Sequence, residues 1–265
     1  MFKTIVCVKA VPDTSSPIRV RTDRLTLELE GIPWVMNPYD EYAVEEALRI
    51  KEREGSGQVI ALSLGDPRAK EVLRIALSMG VDEAVHISAS TNDGMDSQSI
   101  ARSLARVISD MQFDLILCGR QAVDWDSAQV PSALAEFLDL PHIGMVTKLK
   151  VDVVGRMVHA LRQVEGGSEW VEAALPCVIG ANKGLNEPRY PSLKGILAAK
   201  KKEIPEWGGG LPGNGAEKGE LQASRLRILS LAPPPARQSG RVLQGEVSDR
   251  VRELVRLLRE EAKVV

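Results

Sequence analysis

Two periods govern the apolar positions of this chain. Residues 4–8 (Thr-Ile-Val-Cys-Val), 59–64, 83–87 and 113–118 are short, nearly continuous apolar runs. That is the pattern of strands buried on both faces of a parallel sheet. Between them, residues 38–50, 69–79 and 97–109 carry apolar positions three and four apart, the period of helices with one buried face. Asn37-Pro38-Tyr39-Asp40 supplies a helix start and Gly80 a helix stop. A fourth helix is predicted over 130–138. Strands alternating with helices of this length predict an α/β fold, a doubly wound parallel sheet of Rossmann-like type. Right-handed crossovers then place helices on both faces.

Beyond Pro141 the period changes to two. Residues 146–153, 157–164 and 169–174 alternate apolar with polar, punctuated by Gly155 and Gly166-Gly167. This predicts a half-exposed β-meander over 146–174. Residues 177–181 return to the buried-strand pattern, and 189–202 read as a loop entering a basic helix. Residues 14–33 read as an excursion with short strands, and Asn92-Asp93-Gly94 as a polar loop. Residues 208–219 are Gly-rich, the composition of a flexible linker. Residues 226–231 read as a strand, Pro233-Pro234-Pro235 as a stiff extended piece, and 249–262 as an amphipathic helix. The expected division is a domain over 1–204 and an extended C-terminal arm over 205–265. An arm on such a linker makes few contacts with its own core, so it is expected to wrap a partner subunit. A small addition packed on the same domain is the plainer alternative.

Composition narrows the function classes. The 265 residues carry a formal net charge of -2, which implies no polyanionic partner. Cys7, Cys118 and Cys177 lie far apart, with no CxxC or Cys/His cluster, so reduced core or strand-end thiols are expected and no metal site. No signal peptide and no apolar run of spanning length is evident, which leads to a cytoplasmic, soluble expectation. His86, His142 and His159 fall in or beside strands, with no nucleophile or acid in a recognisable arrangement.

The stretch with chemistry to offer is Cys118-Gly119-Arg120-Gln121-Ala122-Val123-Asp124-Trp125-Asp126-Ser127-Ala128-Gln129. It runs from a strand into a helix, with Asp126 or Ser127 placed to cap the helix and Pro131 in its first turn. Open α/β sheets bind ligands at such loops, and a helix start favours an anion such as phosphate. The loop therefore reads as a nucleotide cradle, with an ordinary strand-to-helix junction as the plain alternative. Asp124 and Asp126 suit helix capping or ribose contacts better than general acid–base work. No catalytic residue is assigned. The basic run Lys200-Lys201-Lys202 follows Leu193 and Ile196-Leu197. It reads equally as a solvated face and as a docking surface with an apolar anchor.

Four separated segments resemble the β subunit of electron-transfer flavoproteins. They are Val6-Cys7-Val8-Lys9, the run from Met36-Asn37-Pro38-Tyr39-Asp40 into Ala43-Val44-Glu45-Glu46-Ala47-Leu48, Cys118 through Asp124, and Leu185-Asn186-Glu187-Pro188-Arg189-Tyr190. The resemblance runs in order from residue 2 to about 204, and more loosely to the C-terminus. It implies a heterodimer with an α subunit that holds most of the redox FAD. It also implies an adenine-nucleotide-binding fold here, and an arm reaching the partner.

By that resemblance the nucleotide site comprises Cys7, Asn37, Pro38, Tyr39, Asp40, Leu64, Gly119, Arg120, Gln121, Ala122, Val123, Asp124, Trp125, Asp126, Ser127, Ala128, Gln129 and Val130. Cys7 and Leu64 would flank the adenine, and the helix start at 127–130 would hold phosphate. The recognition loop would be 191–202, with Leu193 as anchor and Ile196, Lys200 and Lys201 beside it. The implied partners are flavin dehydrogenases of the acyl-CoA dehydrogenase type, as in fatty acid oxidation, and a quinone oxidoreductase.

Simple carriers of this family hold AMP in the β-subunit site. Bifurcating members hold a second FAD there and oxidise NADH. Arg120 and the run Ser127-Ala128-Gln129-Val130 are similar to the bifurcating type. Trp125 departs from it, standing where that type usually has Gly, and so does Pro131. The competing reading is a free-standing adenine-nucleotide-binding or hydrolysing protein of the same fold. Its expected Gly-rich loops are absent from 9–13 and 119–129. A scaffold with an empty site is a third.

Overall fold

A computed structural model describes residues 1–89, 96–207, 224–235 and 239–265. The polar loop at 92–94 and the Gly-rich stretch 208–219 lie outside the described residues. Contacts divide the chain into two compact units, Met1–Ser230 and Leu231–Val265.

The first unit is built on a nine-stranded sheet. Its inner strands are β1 (Lys3–Cys7), β6 (Gln58–Gly65), β7 (Glu83–Ser88), β8 (Leu115–Gly119) and β12 (Cys177–Ala181), all in parallel pairings. Strand β9 (His142–Asp152) also pairs parallel with β12, then antiparallel with β10 (Met157–Val164), which pairs with β11 (Gly167–Ala174). The meander is therefore the outer edge of the same sheet, and its first strand begins at His142, four residues before the expected start at 146. At the opposite edge β13 (Glu206–Trp207) pairs parallel with β7, so this unit continues past residue 204. The excursion at 14–33 carries the hairpin β3 (Arg19–Val20) and β4 (Leu27–Glu28). It is flanked by β2 (Ala10–Pro12), which pairs with β5 (Trp34–Met36).

Alternate residues of each strand feed two cores. Val6, Ala61, Leu115, Leu117 and Ile179 pack with α1 (Pro38–Arg53) and α2 (Ala69–Met79). Ile5, Leu62, Ile116, Cys118 and Val178 pack with α3 (Ser97–Ile108) and α4 (Val130–Phe137) on the other side. Each large aliphatic side chain buried this way contributes roughly 1.5–3 kcal/mol of transfer free energy. Helix α5 (Leu193–Lys201) lies against α2, with Ala199 buried in the first core.

Two expectations are corrected. Residues 226–231 form no strand; Leu226 and Leu229 are exposed and pair with nothing regular. Alternation marks a strand only where a neighbouring edge takes up the backbone hydrogen bonds. The second unit holds α6 (Val247–Glu260), two residues earlier than its apolar spacing indicates at each end. No helix among the described residues is long and apolar enough to cross a membrane.

Candidate functional site

The sheet order places β6 and β7 on one side of β1 and β8 on the other. The chain steps outward from β1 to β7, then returns through α3 to β8. The loops leaving the carboxyl ends of β1 and β8 therefore diverge, and a crevice opens between them. This is the topological switch point where open α/β sheets take ligands.

Side chains from the start of α1 hold that crevice. Asn37 is fully buried, and its amide grips the 119–130 loop twice. Its Nδ2 donates to the Gln121 carbonyl at 2.8 Å, and its Oδ1 accepts from the Val123 amide at 3.1 Å. The buried Asp40 carboxylate accepts from the Lys9 amide at 2.7 Å, the Asn37 Nδ2 at 2.9 Å and the Gly119 amide at 3.1 Å. It thereby ties together the ends of β1, β8 and α1. Burial pushes the Asp40 carboxyl up to about 7, against the pull of those hydrogen bonds.

Gly119 is required here. A Cβ at this position would run into the Asp40 carboxylate and come within 2.8 Å of the Tyr39 backbone. Across the crevice mouth the Lys9 ammonium bridges both oxygens of Asp124, at 2.6 and 2.8 Å. The Arg120 guanidinium lies over the Tyr39 ring, 4.9 Å from its centroid, and its Nη1 is 3.3 Å from the Met145 sulfur.

The outer loop differs from the capping expectation. The residue preceding α4 is Gln129, and no side chain caps the helix. Asp126 instead accepts from Gln121 Nε2 at 2.7 Å, and Ser127 meets Ser97 Oγ at 3.1 Å. Asp126 and Ala128 hold φ of 51° and 52°, so the chain turns on either side of Ser127 before α4 begins at Val130. The start of α4 is left with free amides, and Pro131 sits in its first turn as expected. Trp125 is 61% exposed. Leu64 lies at the carboxyl end of β6, beside β1.

Sequence reasoning passed over three features. Cys7 and Cys118 are register partners on one face of the sheet, and the Cys118 thiol is pushed well above its ordinary range, first by its hydrogen bond with Cys7 and then by burial. Lys9 closes on Asp124, and Ser97 on Ser127. Only the pairing of strands, which links residues more than a hundred positions apart, reveals the first two. Among the described residues no cluster of three or more His, Cys, Asp or Glu is placed to hold a metal ion.

The docking candidates are brought to one surface. Leu193 is 75% exposed, and Ile196 and Leu197 follow it on the same helical face. Lys200 and Lys201 occupy the last turn of α5. The segment leading in carries Tyr190, 95% exposed.

Comparison with known proteins gives one consistent picture. Residues 24–208 match the family model described as the electron transfer flavoprotein domain. The chain is 42% identical to the electron transfer flavoprotein subunit beta of Bacillus subtilis, over 98% of both chains. It is 37% identical to the caffeyl-CoA reductase-Etf complex subunit CarD of Acetobacterium woodii, over 94% of this chain and 95% of that one. The subunit beta of Sus scrofa is 36% identical, over 90% of this chain and 91% of its own.

Proposed function

The chain belongs to the β-subunit family of electron-transfer flavoproteins, and on that premise we propose that it forms an αβ heterodimer whose β half binds an adenine nucleotide in the 119–130 cradle. The observation that carries this reading is the double grip of Asn37 on Gln121 and Val123. It shapes the loop from behind while the amides at the start of α4 stay uncapped. A backbone donor set of this kind suits a phosphate. The ends of β1 and β6, at Cys7 and Leu64, offer an apolar slot for adenine. Asp124 is held by Lys9, which keeps its charge from opposing the phosphate.

FAD bound with the α subunit would supply the electron-carrying chemistry. Tyr39, held under Arg120 at the crevice mouth, is the aromatic face this subunit offers there. The nucleotide is AMP, or the AMP portion of a second FAD, since both present the same adenine and phosphate to these residues. The electron donor is a flavoprotein dehydrogenase that docks on Leu193, Ile196 and the Lys200–Lys201 turn. Bifurcation with NADH is the form this function takes if the cradle holds FAD.

Co-expression with an α subunit tests the reading. The expected product is a yellow one-to-one complex that a flavoprotein dehydrogenase reduces. A chain that stays monomeric and hydrolyses ATP alone would replace this reading with the free-standing nucleotide-binding one.

A further inference from the structure

The segment that leads into α5 is fastened to α1 by charge. Asn186 donates its amide to the Tyr42 carbonyl and to Glu46 Oε2, each at 3.0 Å. Arg49 reaches the Glu187 carbonyl at 3.2 Å. The densest attachment is Arg189. Its Nε and Nη2 bind the two oxygens of Glu45 at 2.7 and 3.1 Å. Its Nη1 and Nη2 bind the two oxygens of Glu52 at 2.5 and 3.0 Å. Its own amide adds a bond to Glu45 at 3.2 Å.

Glu45 is a buried carboxylate. Burial would push it up, yet the bonds from Arg189 and Arg49 outweigh that and hold it below its ordinary range. A charge kept this far from water needs its partner in place. Arg189 is therefore fixed in one geometry, three residues before Ser192, whose Oγ caps α5 by accepting from the Gly195 amide at 3.0 Å.

The far end of α5 is held separately. Arg74 donates to the carbonyls of Ala199 and Lys202 at 2.5 and 2.6 Å, and Lys202 Nζ to those of Val81 and Asp82 at 3.0 and 2.7 Å. The first turn, which carries Leu193, packs on α2 at Gly195 and follows directly on the segment clasped to α1.

We propose that Arg189 is a positioning residue for docking: by clasping Glu45 and Glu52 it sets the entry into α5 and so presents Leu193 in a fixed orientation to the electron donor. This rests on the docking surface proposed above. Pre-organisation of an exposed anchor lowers the ordering cost of association. The clasp should therefore act on the apparent KM for the dehydrogenase, with electron transfer in the formed complex little changed.

The test uses the αβ complex and a flavoprotein dehydrogenase that reduces it. Leu193→Ala, Arg189→Gln and the double variant are compared by kcat and KM, with flavin spectrum and melting temperature as controls. A truncated anchor is expected to lower kcat/KM by about thirtyfold, and Arg189→Gln by up to that amount, through KM. If Arg189 acts through Leu193, Arg189→Gln has little further effect in the Leu193→Ala background. Glu52→Gln, on the exposed side of the clasp, guards against misfolding and is expected to shift KM the same way by a smaller factor. If Leu193→Ala alone changes nothing, the docking surface is wrong and the proposal falls with it. If Leu193→Ala is impaired while Arg189→Gln and Glu52→Gln are not, or if the effects multiply, the clasp alone is overturned.

Discussion

Asp40 is where burial and hydrogen bonding compete most directly. Its carboxyl ionises near 3.8 ordinarily and at about 7 in the fold, because burial disfavours the charge. Between those values the folded chain binds a proton that the unfolded chain has released, so stability falls as pH rises across that window. The span corresponds to about 4 kcal/mol. Chemical denaturation at pH 5 and pH 8 should show Asp40→Asn losing less stability over that range than the parent chain. An equal loss in both would remove Asp40 as the source.

Asn37→Ala should release the 119–130 loop and lower the nucleotide retained per αβ complex several-fold, measured after denaturation, since the half-buried Gln121 carbonyl loses its donor. Asn37, Asp40 and Gly119 were legible as motif residues. The bonds of Asn37 and Asp40 to Gly119, Gln121 and Val123 were not, because they join positions 79 to 86 apart in the chain. The caps expected of Asp126 and Ser127 failed for a backbone reason. Positive φ at Asp126 and Ala128 turns the chain, and composition does not announce that in non-glycine residues.

At the scale of elements, α5 against α2 gives a sharp test. Gly195→Ala would raise helix propensity by up to about 1 kcal/mol. The added Cβ, however, would strike the Ser78 carbonyl oxygen and lie 3.3 Å from its carbon. Overpacking against backbone costs about 1–3 kcal/mol, so the clash wins. A lower melting temperature and weaker dehydrogenase docking are expected; a higher melting temperature would show that α5 does not sit where the structure places it.

The strands and helices of the doubly wound sheet were readable because double-sided burial leaves unbroken apolar runs, as in β1, β6 and β8. Residues 226–231 misled because a short Leu- and Ile-rich run looks the same with or without a partner strand. The join of the meander to the sheet was hidden because the first half of β9 is parallel and half-buried, without clean alternation.

At the scale of the whole molecule, the second unit presents an amphipathic helix with no buried residue. Val247, Val251, Leu254 and Val255 share one exposed face, and Leu243 lines the groove beside it. An exposed apolar face of this kind marks an interaction surface, and the proposed occupant is the α subunit. Ending the chain at Ser230 should leave the first unit folded by circular dichroism yet lose co-purification of the α subunit. Retention of α at full yield would refute the arm's assignment. The resemblance in sequence pointed to this arm, but the helix face alone would not have named its partner.

The most direct test of the account is the nucleotide content of the denatured αβ complex. The cradle reading predicts one adenine nucleotide beyond the redox FAD. One FAD with one AMP would make the protein a simple electron carrier, and two FAD a candidate for bifurcation. One FAD per heterodimer and no other adenine nucleotide, after gentle purification, would contradict it.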